Sequence, residues 1–331
     1  MNKPRVLLTR RLPEGARRRL CEADLEVVEL GGDEPVEREQ LLRAAAGCAG
    51  LISTVSERVD EALLDAAGPA LRVVANFAVG VDNIAVEACT RRGVRVTNTP
   101  DVLTDATADL TWALILAVAR RLVEGDRLVR AGQWPGWAPL QLLGLDLRGA
   151  TLGVVGAGRI GSAVARRAAA FGTRVLYKHP RKLAELEQSL QAERADLDRL
   201  LRESDIVTLH VPARPENRRL LGAEQLGAMK SRAILINTSR GSVVDEGALV
   251  DALRRKRIAG AGLDVYENEP KLAAGLAELP NVVLAPHLGS ATVATRERMA
   301  ELAAQNAIAV LRGTDPPNPV NTLWPCPGSS A

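Results

Sequence analysis

Residues 151–161 read Thr-Leu-Gly-Val-Val-Gly-Ala-Gly-Arg-Ile-Gly, an aliphatic run ending in glycines spaced GxGxxG and followed by small residues as far as Phe171. No other segment constrains the fold as strongly. A strand that turns sharply into a helix uses Gly156 for the turn, Gly158 for close approach of backbone to ligand, and Gly161 for packing helix on strand. The helix amino terminus then offers N–H groups to phosphate. Flanked by strand and helix, the pattern indicates a dinucleotide-binding unit rather than a chance glycine-rich turn.

The surrounding chain has the matching rhythm. Aliphatic runs near 151–155, 174–177, 205–211, 232–237, 260–264 and 281–285 alternate with helical stretches, predicting a doubly wound parallel sheet of about six strands. Five further runs precede it: Val6-Leu7-Leu8-Thr9, Leu25-Glu26-Val27-Val28, Gly50-Leu51-Ile52-Ser53, residues 71–75 and Val94-Arg95-Val96-Thr97. A chain of 331 residues exceeds what one core usually organises, so two α/β domains are expected. Asn98-Thr99-Pro100-Asp101 interrupts the rhythm, and Thr104 or Asp105 can cap one long helix over 104–130. Beyond Pro286 a helix over 291–312 is predicted, and it is expected to return to the first domain. The expected division is 1–100 and 287–331 for that discontinuous domain, with 101–286 forming the dinucleotide-binding domain.

Charge and composition narrow the function. The 43 basic and 40 acidic residues are dispersed, giving a net charge of +3 with no polybasic tail, so neither nucleic acid nor a membrane surface is an expected partner. The only apolar run in residues 1–10 is Val6-Leu7-Leu8, too short for a signal-peptide core, and the run over 112–119 is too short to span a bilayer. A cytoplasmic location is expected. Cys21, Cys48, Cys89 and Cys326 are scattered without zinc-like spacing, which predicts reduced thiols and no metal.

At the ribose end of the dinucleotide fold an Asp or Glu usually stands about 20 residues past the glycines, where it accepts from the ribose hydroxyls. Here the second strand ends instead in Lys178-His179-Pro180-Arg181-Lys182. A basic loop suits a 2′-phosphate, so NADP(H) is the expected cofactor, with NAD(H) as the alternative. Of three histidines, His179 and His210 read as environmental, while His287 follows the last strand at the carboxyl edge where such sheets bind ligands. Arg240 and Glu269 follow two other strands of the same sheet. Reduction of a 2-keto acid needs a cation for the carboxylate, a proton donor for the carbonyl oxygen and a partner that keeps the donor charged. Arg240, His287 and Glu269 fit these roles in that order.

Over nearly its whole length the sequence resembles the D-isomer-specific 2-hydroxyacid dehydrogenases, and among them glyoxylate/hydroxypyruvate reductases. The likeness is carried by residues 75–83, 98–109, the glycine loop, 237–246, 262–270 and 286–290. It implies a Rossmann domain inserted in a flavodoxin-like substrate domain. It also implies that Arg240 binds substrate and assists catalysis, that Glu269 pairs with the histidine, and that His287 is the acid/base. Glu269 is preferred over Glu267 because the family's glutamate directly precedes the proline. Backbone N–H groups at Val79 and Gly80 are implied to receive the substrate carboxylate, with Thr107, Thr238 and Asp264 near the nicotinamide. The remaining implied cofactor contacts are Gly156, Ala157, Gly158, Arg159, Ile160, His179, Pro180, Arg181, Val211, Pro212, Ser239 and Gly289. NADP-type relatives usually carry a Ser-Arg-Thr-like or Arg-rich stretch where this chain has His179-Pro180-Arg181.

In the relatives that residues 132–139 resemble, the neighbouring helix region forms a dimer and a loop tryptophan approaches the partner's active site. A homodimer with Trp137 acting in trans on substrate is therefore expected. Glu269 argues against formate as substrate, because formate dehydrogenases carry glutamine there. Phosphite dehydrogenases and D-lactate or phosphoglycerate dehydrogenases share the scaffold, and a dinucleotide-sensing corepressor would share the fold without turnover.

Overall fold

The computed structural model describes residues 3–323; Cys326 lies outside them. The chain divides into two compact units, one reaching to Leu103 and resuming at Ala291, the other comprising Thr104–Ser290.

The first unit is built on five parallel strands, numbered in chain order: β1 (Arg5–Leu8), β2 (Glu26–Glu29), β3 (Gly50–Ser53), β4 (Val73–Asn76) and β5 (Arg95–Thr97). Their order is β2-β1-β3-β4-β5, one of the two common doubly wound arrangements. Helices α1 (Glu14–Glu22), α2 (Arg38–Ala45), α3 (Glu61–Ala67) and α4 (Val86–Arg91) make the crossovers. The central strands β3 and β4 are buried along their whole length, as a parallel sheet covered on both faces requires. One cover is the last helix, α12 (Val293–Leu311), which packs on α1, β3 and β4 through Ala300, Ala303, Ala304 and Ala307. Arg72 fixes its carboxyl end, donating to the carbonyls of Leu311 (2.9 Å) and Val310 (2.8 Å), where a cation also meets the negative end of the helix. Asn321 then straps the β5 edge: its Oδ1 accepts the Val96 N–H (2.8 Å) and its Nδ2 donates to the Val94 carbonyl (2.9 Å).

The second unit has seven parallel strands: β6 (Thr151–Val155), β7 (Arg174–Lys178), β8 (Glu193–Arg194), β9 (Ile206–Leu209), β10 (Ile234–Asn237), β11 (Gly260–Leu263) and β12 (Val282–Leu284). The order β12-β11-β10-β9-β6-β7-β8 reverses between β6 and β9, and a doubly wound sheet opens its ligand crevice at such a reversal. Both units are thus α/β with parallel sheets. One strand exceeds the expected count, because β8 is only two exposed, charged residues paired with Leu176 and Tyr177.

The single helix expected over 104–130 is two, α5 (Thr104–Ala119) and α6 (Leu122–Arg130). Arg121 at the junction adopts a left-handed backbone (φ 51°), and the Ala119 carbonyl accepts the Leu145 N–H (2.8 Å) instead of continuing the helix. Helix α5 lies against β10 and β11 with Leu114, Ile115 and Val118 in the core. Trp112 is a core residue: its ring stacks on Phe171 with centroids 4.3 Å apart, and its indole N–H donates to the Val164 carbonyl (3.0 Å). Helix α6 buries none of its residues. The remaining helices are α7 (Arg159–Ala168), α8 (Ala184–Leu190), α9 (Leu197–Glu203), α10 (Ala223–Ala228) and α11 (Glu246–Arg254).

Candidate active site

The glycine loop between β6 and α7 is shaped for a ligand. A Cβ on Gly156 would meet the His210 backbone at 2.8 Å, and one on Gly161 would meet the Gly156 carbonyl oxygen at 2.3 Å, so both positions are closed to larger residues. At Gly158 a Cβ would meet nothing within 4 Å. The space above it is open to a pyrophosphate, while the first turn of α7 has no side-chain cap for its N–H groups. The residues present therefore fit a dinucleotide. Val211 and Pro212 follow β9 on the other side of the reversal, and the Val211 side chain borders Gly156.

At the end of β7 the basic loop is held in one shape by its own groups. Arg194 donates to the carbonyls of His179 (3.0 Å) and Pro180 (2.7 Å), and His179 Nδ1 accepts the Arg181 N–H (3.2 Å). Lys182 is engaged by Glu187 (3.0 Å). Arg181 is exposed and, among the described residues, makes no ion pair.

The reactive groups gather at the carboxyl ends of β10, β11 and β12. His287 Nδ1 lies 3.0 Å from Glu269 Oε2, each side chain about a third exposed, and Glu269 Oε1 accepts the Tyr266 N–H (3.0 Å). Burial works to raise the Glu269 carboxyl, but the bond and charge of His287, the Tyr266 N–H and the Arg240 charge outweigh it and hold it below the usual carboxylate range. Glu267 is engaged elsewhere, with Arg219 (3.1 Å). Arg240 sits half-buried in the turn after β10, where Asn237 accepts from Ser239 and donates to the Arg240 carbonyl (2.9 Å).

The turn bearing His287 is strained and braced. His287 has φ 57°, unfavourable for a non-glycine by about 1–3 kcal/mol. Asp264, buried at the end of β11, accepts the N–H groups of Leu288 (2.6 Å) and Gly289 (2.8 Å), so both its oxygens secure the turn. Burial raises this carboxyl. The Thr107 hydroxyl donates to the Gly289 carbonyl (3.0 Å), and Thr111 joins the Thr107 carbonyl to the Thr238 hydroxyl. Asp264, Thr107, Thr238 and Gly289 thus form one network beneath the Arg240, Glu269 and His287 edge. Thr111 carries no signal in the sequence beyond its place four residues after Thr107 on the inner face of α5.

His210, also at this edge, bonds Thr208 (2.9 Å), and burial pushes its imidazole down to about 3. Burial likewise pushes the Cys89 thiol up to about 11 and raises Cys48, which leaves both poor nucleophiles. Among the described residues no three His, Cys, Asp or Glu side chains meet as a metal site, and no helix is long and apolar enough to cross a membrane.

In the first unit, the loop after β4 exposes a pair of backbone donors. Three successive carbonyls are turned inward: Ala78 accepts from the Thr99 N–H (2.9 Å), Val79 from Asn98 Nδ2 (2.8 Å) and Gly80 from Asn76 Nδ2 (2.7 Å). Among the described residues the N–H groups of Val79 and Gly80 find no acceptor in the chain. Asn76 and Asn98 were not singled out from the sequence, because a side-chain amide that shapes a distant loop has no local pattern.

The sequence profile of the family described as D-isomer specific 2-hydroxyacid dehydrogenase, NAD binding domain, matches residues 112–289. A glyoxylate reductase of Thermococcus onnurineus is 51% identical, with 96% of each chain covered. The crystal structure of a Thermus thermophilus protein superposes with a TM-score of 0.89 at 52% identity, covering 96% of this chain and 100% of that one. An NADPH-dependent glyoxylate/hydroxypyruvate reductase of Sinorhizobium meliloti, solved with NADP and malonate, superposes with a TM-score of 0.83 at 36% identity, covering 96% and 97%. The fold, the glycine loop and these likenesses agree, and the chain belongs to the D-isomer-specific 2-hydroxyacid dehydrogenases, NAD(P)-dependent oxidoreductases that act on CH–OH donors.

Proposed function

We propose that this chain reduces glyoxylate and hydroxypyruvate to glycolate and D-glycerate, using NADPH in preference to NADH. The observation that carries the reading is the 3.0 Å contact between His287 Nδ1 and Glu269 on the edge that also bears Arg240. The Glu269 carboxylate at Nδ1 orients the ring and leaves Nε2 to give its proton to the carbonyl oxygen. Arg240 holds and polarises the keto acid. The nicotinamide, when bound, supplies hydride to the carbonyl carbon. NADPH is favoured because Arg181 is available to a 2′-phosphate and no acidic residue replaces His179. The names of the Thermococcus and Sinorhizobium relatives point the same way.

A homodimer belongs to the same reading. Large apolar side chains stand exposed from α6 onward, among them Leu122, Val129, Trp134, Trp137 (82% exposed), Leu140 (80%) and Leu143. Such a row is costly to leave in water. Near it, a cavity of about 790 Å³ lined by Val118, Val123, Leu143, Leu279 and Val282 opens away from Arg240, Glu269 and His287, at the amino ends of β10 and β12. A second copy covers this surface, with Trp137 reaching the partner's substrate, in a cytoplasmic enzyme.

The test is a panel of 2-keto acids assayed with both cofactors, for the wild type and for His287→Ala. The variant is expected to bind dinucleotide and to lose about 10²–10⁴ in kcat, or about 3–5 kcal/mol. Wild-type reduction by the variant at neutral pH would refute the assignment. Dinucleotide binding without turnover in the wild type would favour the corepressor reading instead. A monomer in sedimentation at micromolar concentration would remove the dimer and the role of Trp137.

A further inference from the structure

The Glu269 loop is held by a group that touches no reacting atom. Glu246 opens helix α11 and is only 4% exposed. Its Oε1 accepts the N–H of Glu267 at 2.7 Å, two residues before Glu269. Among the described residues Glu246 makes no ion pair; Glu267 and Asp245, its acidic neighbours, are both drawn to Arg219. A buried carboxylate without a cation is expensive, and stability alone would be served as well by a neutral side chain. A charge-assisted bond to a backbone N–H gives the loop a stiffness that a neutral side chain would not.

We propose that Glu246 is a positioning residue for the Glu269–His287 pair: from the first turn of α11 its carboxylate pins residue 267, and so sets Glu269 within hydrogen-bonding distance of His287. The inference rests on the acid/base reading of that pair. With Glu246 in place, Glu269 is presented without a search through loop conformations. Without it, the loop loses this anchor and the Glu269 carboxylate spends part of its time away from Nδ1. Glu246 therefore acts only through Glu269.

That dependence gives the experiment. Glu246→Ala and Glu246→Gln are made alone and on a Glu269→Gln background, with glyoxylate and NADPH as substrates. Glu246→Ala is expected to lower kcat roughly 10- to 100-fold, the scale of a sub-ångström to 1 Å misplacement, with glyoxylate KM and NADPH Kd within about threefold. On the Glu269→Gln background the same change is expected to cost less than about threefold, since partners in one pathway do not add. Glu246→Gln, which keeps the volume and one acceptor but not the charge, is expected to lower kcat less than the alanine variant, by about 3- to 10-fold, and serves as the test if the alanine variant does not fold. Wild-type kcat in both Glu246 variants, or an equal loss on both backgrounds, would overturn the proposal. His287→Ala separates the two levels: if it is active the acid/base reading falls, and if it is crippled while Glu246→Ala is not, only the positioning role falls.

Discussion

Gly241 follows Arg240 and touches the loop that carries Glu269, so a single methyl group there tests whether the Arg240 and Glu269 segments work as one body. A Cβ at Gly241 would stand 1.8 Å from the Tyr266 carbonyl carbon and 2.1 Å from its oxygen. Both atoms are backbone and cannot swing aside. To open 1.8 Å to even 3.0 Å, the tightest separation seen for real Cβ atoms, the loops must part by about 1.2 Å. A displacement of this size at a reacting group costs about 10²-fold in rate, or about 2.7 kcal/mol of transition-state stabilisation. Overpacking adds about 1–3 kcal/mol of lost stability. Gly241→Ala is therefore expected to bind NADPH, since the glycine loop at residues 156–161 is untouched, yet to reduce glyoxylate with kcat/KM about 100-fold down and to melt several degrees lower. The assays are steady-state kinetics, dinucleotide titration by fluorescence, and a thermal melt. Wild-type kcat/KM with an unchanged melting temperature would show that the loops are not braced against each other.

Other perturbations address the proton, the cofactor and the fold. Glu269→Gln replaces the carboxylate at His287 Nδ1 by a neutral amide, so kcat for reduction is expected to fall about 10²-fold with NADPH Kd unchanged; a wild-type kcat would contradict the pairing. Arg181→Ala is expected to lower kcat/KM for NADPH about 10- to 100-fold, the worth of about 1.5–3 kcal/mol of charge-assisted bonding, while NADH use changes little. His179→Asp is expected to move preference toward NADH, and equal or better NADH use by the wild type would sink both expectations. His210 stays neutral in the folded chain down to about pH 3, whereas in the unfolded chain it protonates near its ordinary value of 6.5. The unfolded state thus binds the extra proton between these values, and the fold loses stability as pH falls through that window. His210→Gln is expected to flatten the decline of the urea midpoint between pH 7 and 4.5, and parallel curves for the two proteins would refute the account.

The parts of this structure that sequence reasoning reached are those written in local pattern. The strand at 151–155 and its glycines are one contiguous signal, and the buried strands β3, β4, β9 and β10 are each built on a short aliphatic run. Strand β8 escaped because Glu193 and Arg194 hide no apolar face. The break after Ala119 escaped for another reason: neither Gly nor Pro marks it, and its cause is a bond from Leu145, 26 positions away. The site divides along the same line. Arg240, Glu269 and His287 each follow the end of a strand and could be found one at a time. The bracing of the His287 turn by Asp264 and of the Ala78 and Val79 carbonyls by Thr99 and Asn98 depends on distances between segments that no spacing encodes.

The split of the first unit sets an order of events during synthesis. Thr104–Ser290 is continuous and can close as soon as it leaves the ribosome, but the unit that begins first lacks α12 until residue 311 is made. At about 5–20 residues per second, the interval from residue 103 to residue 311 is roughly 10–40 s. Throughout it, the face of β3 and β4 that Ala300, Ala303, Ala304 and Ala307 will cover is exposed to whatever else is in the cell. A chain truncated after residue 290 and released is accordingly expected to show a protease-resistant fragment from the middle of the sequence and a labile amino-terminal one. Release of the final segment would then make the earliest residues translated the last to become resistant.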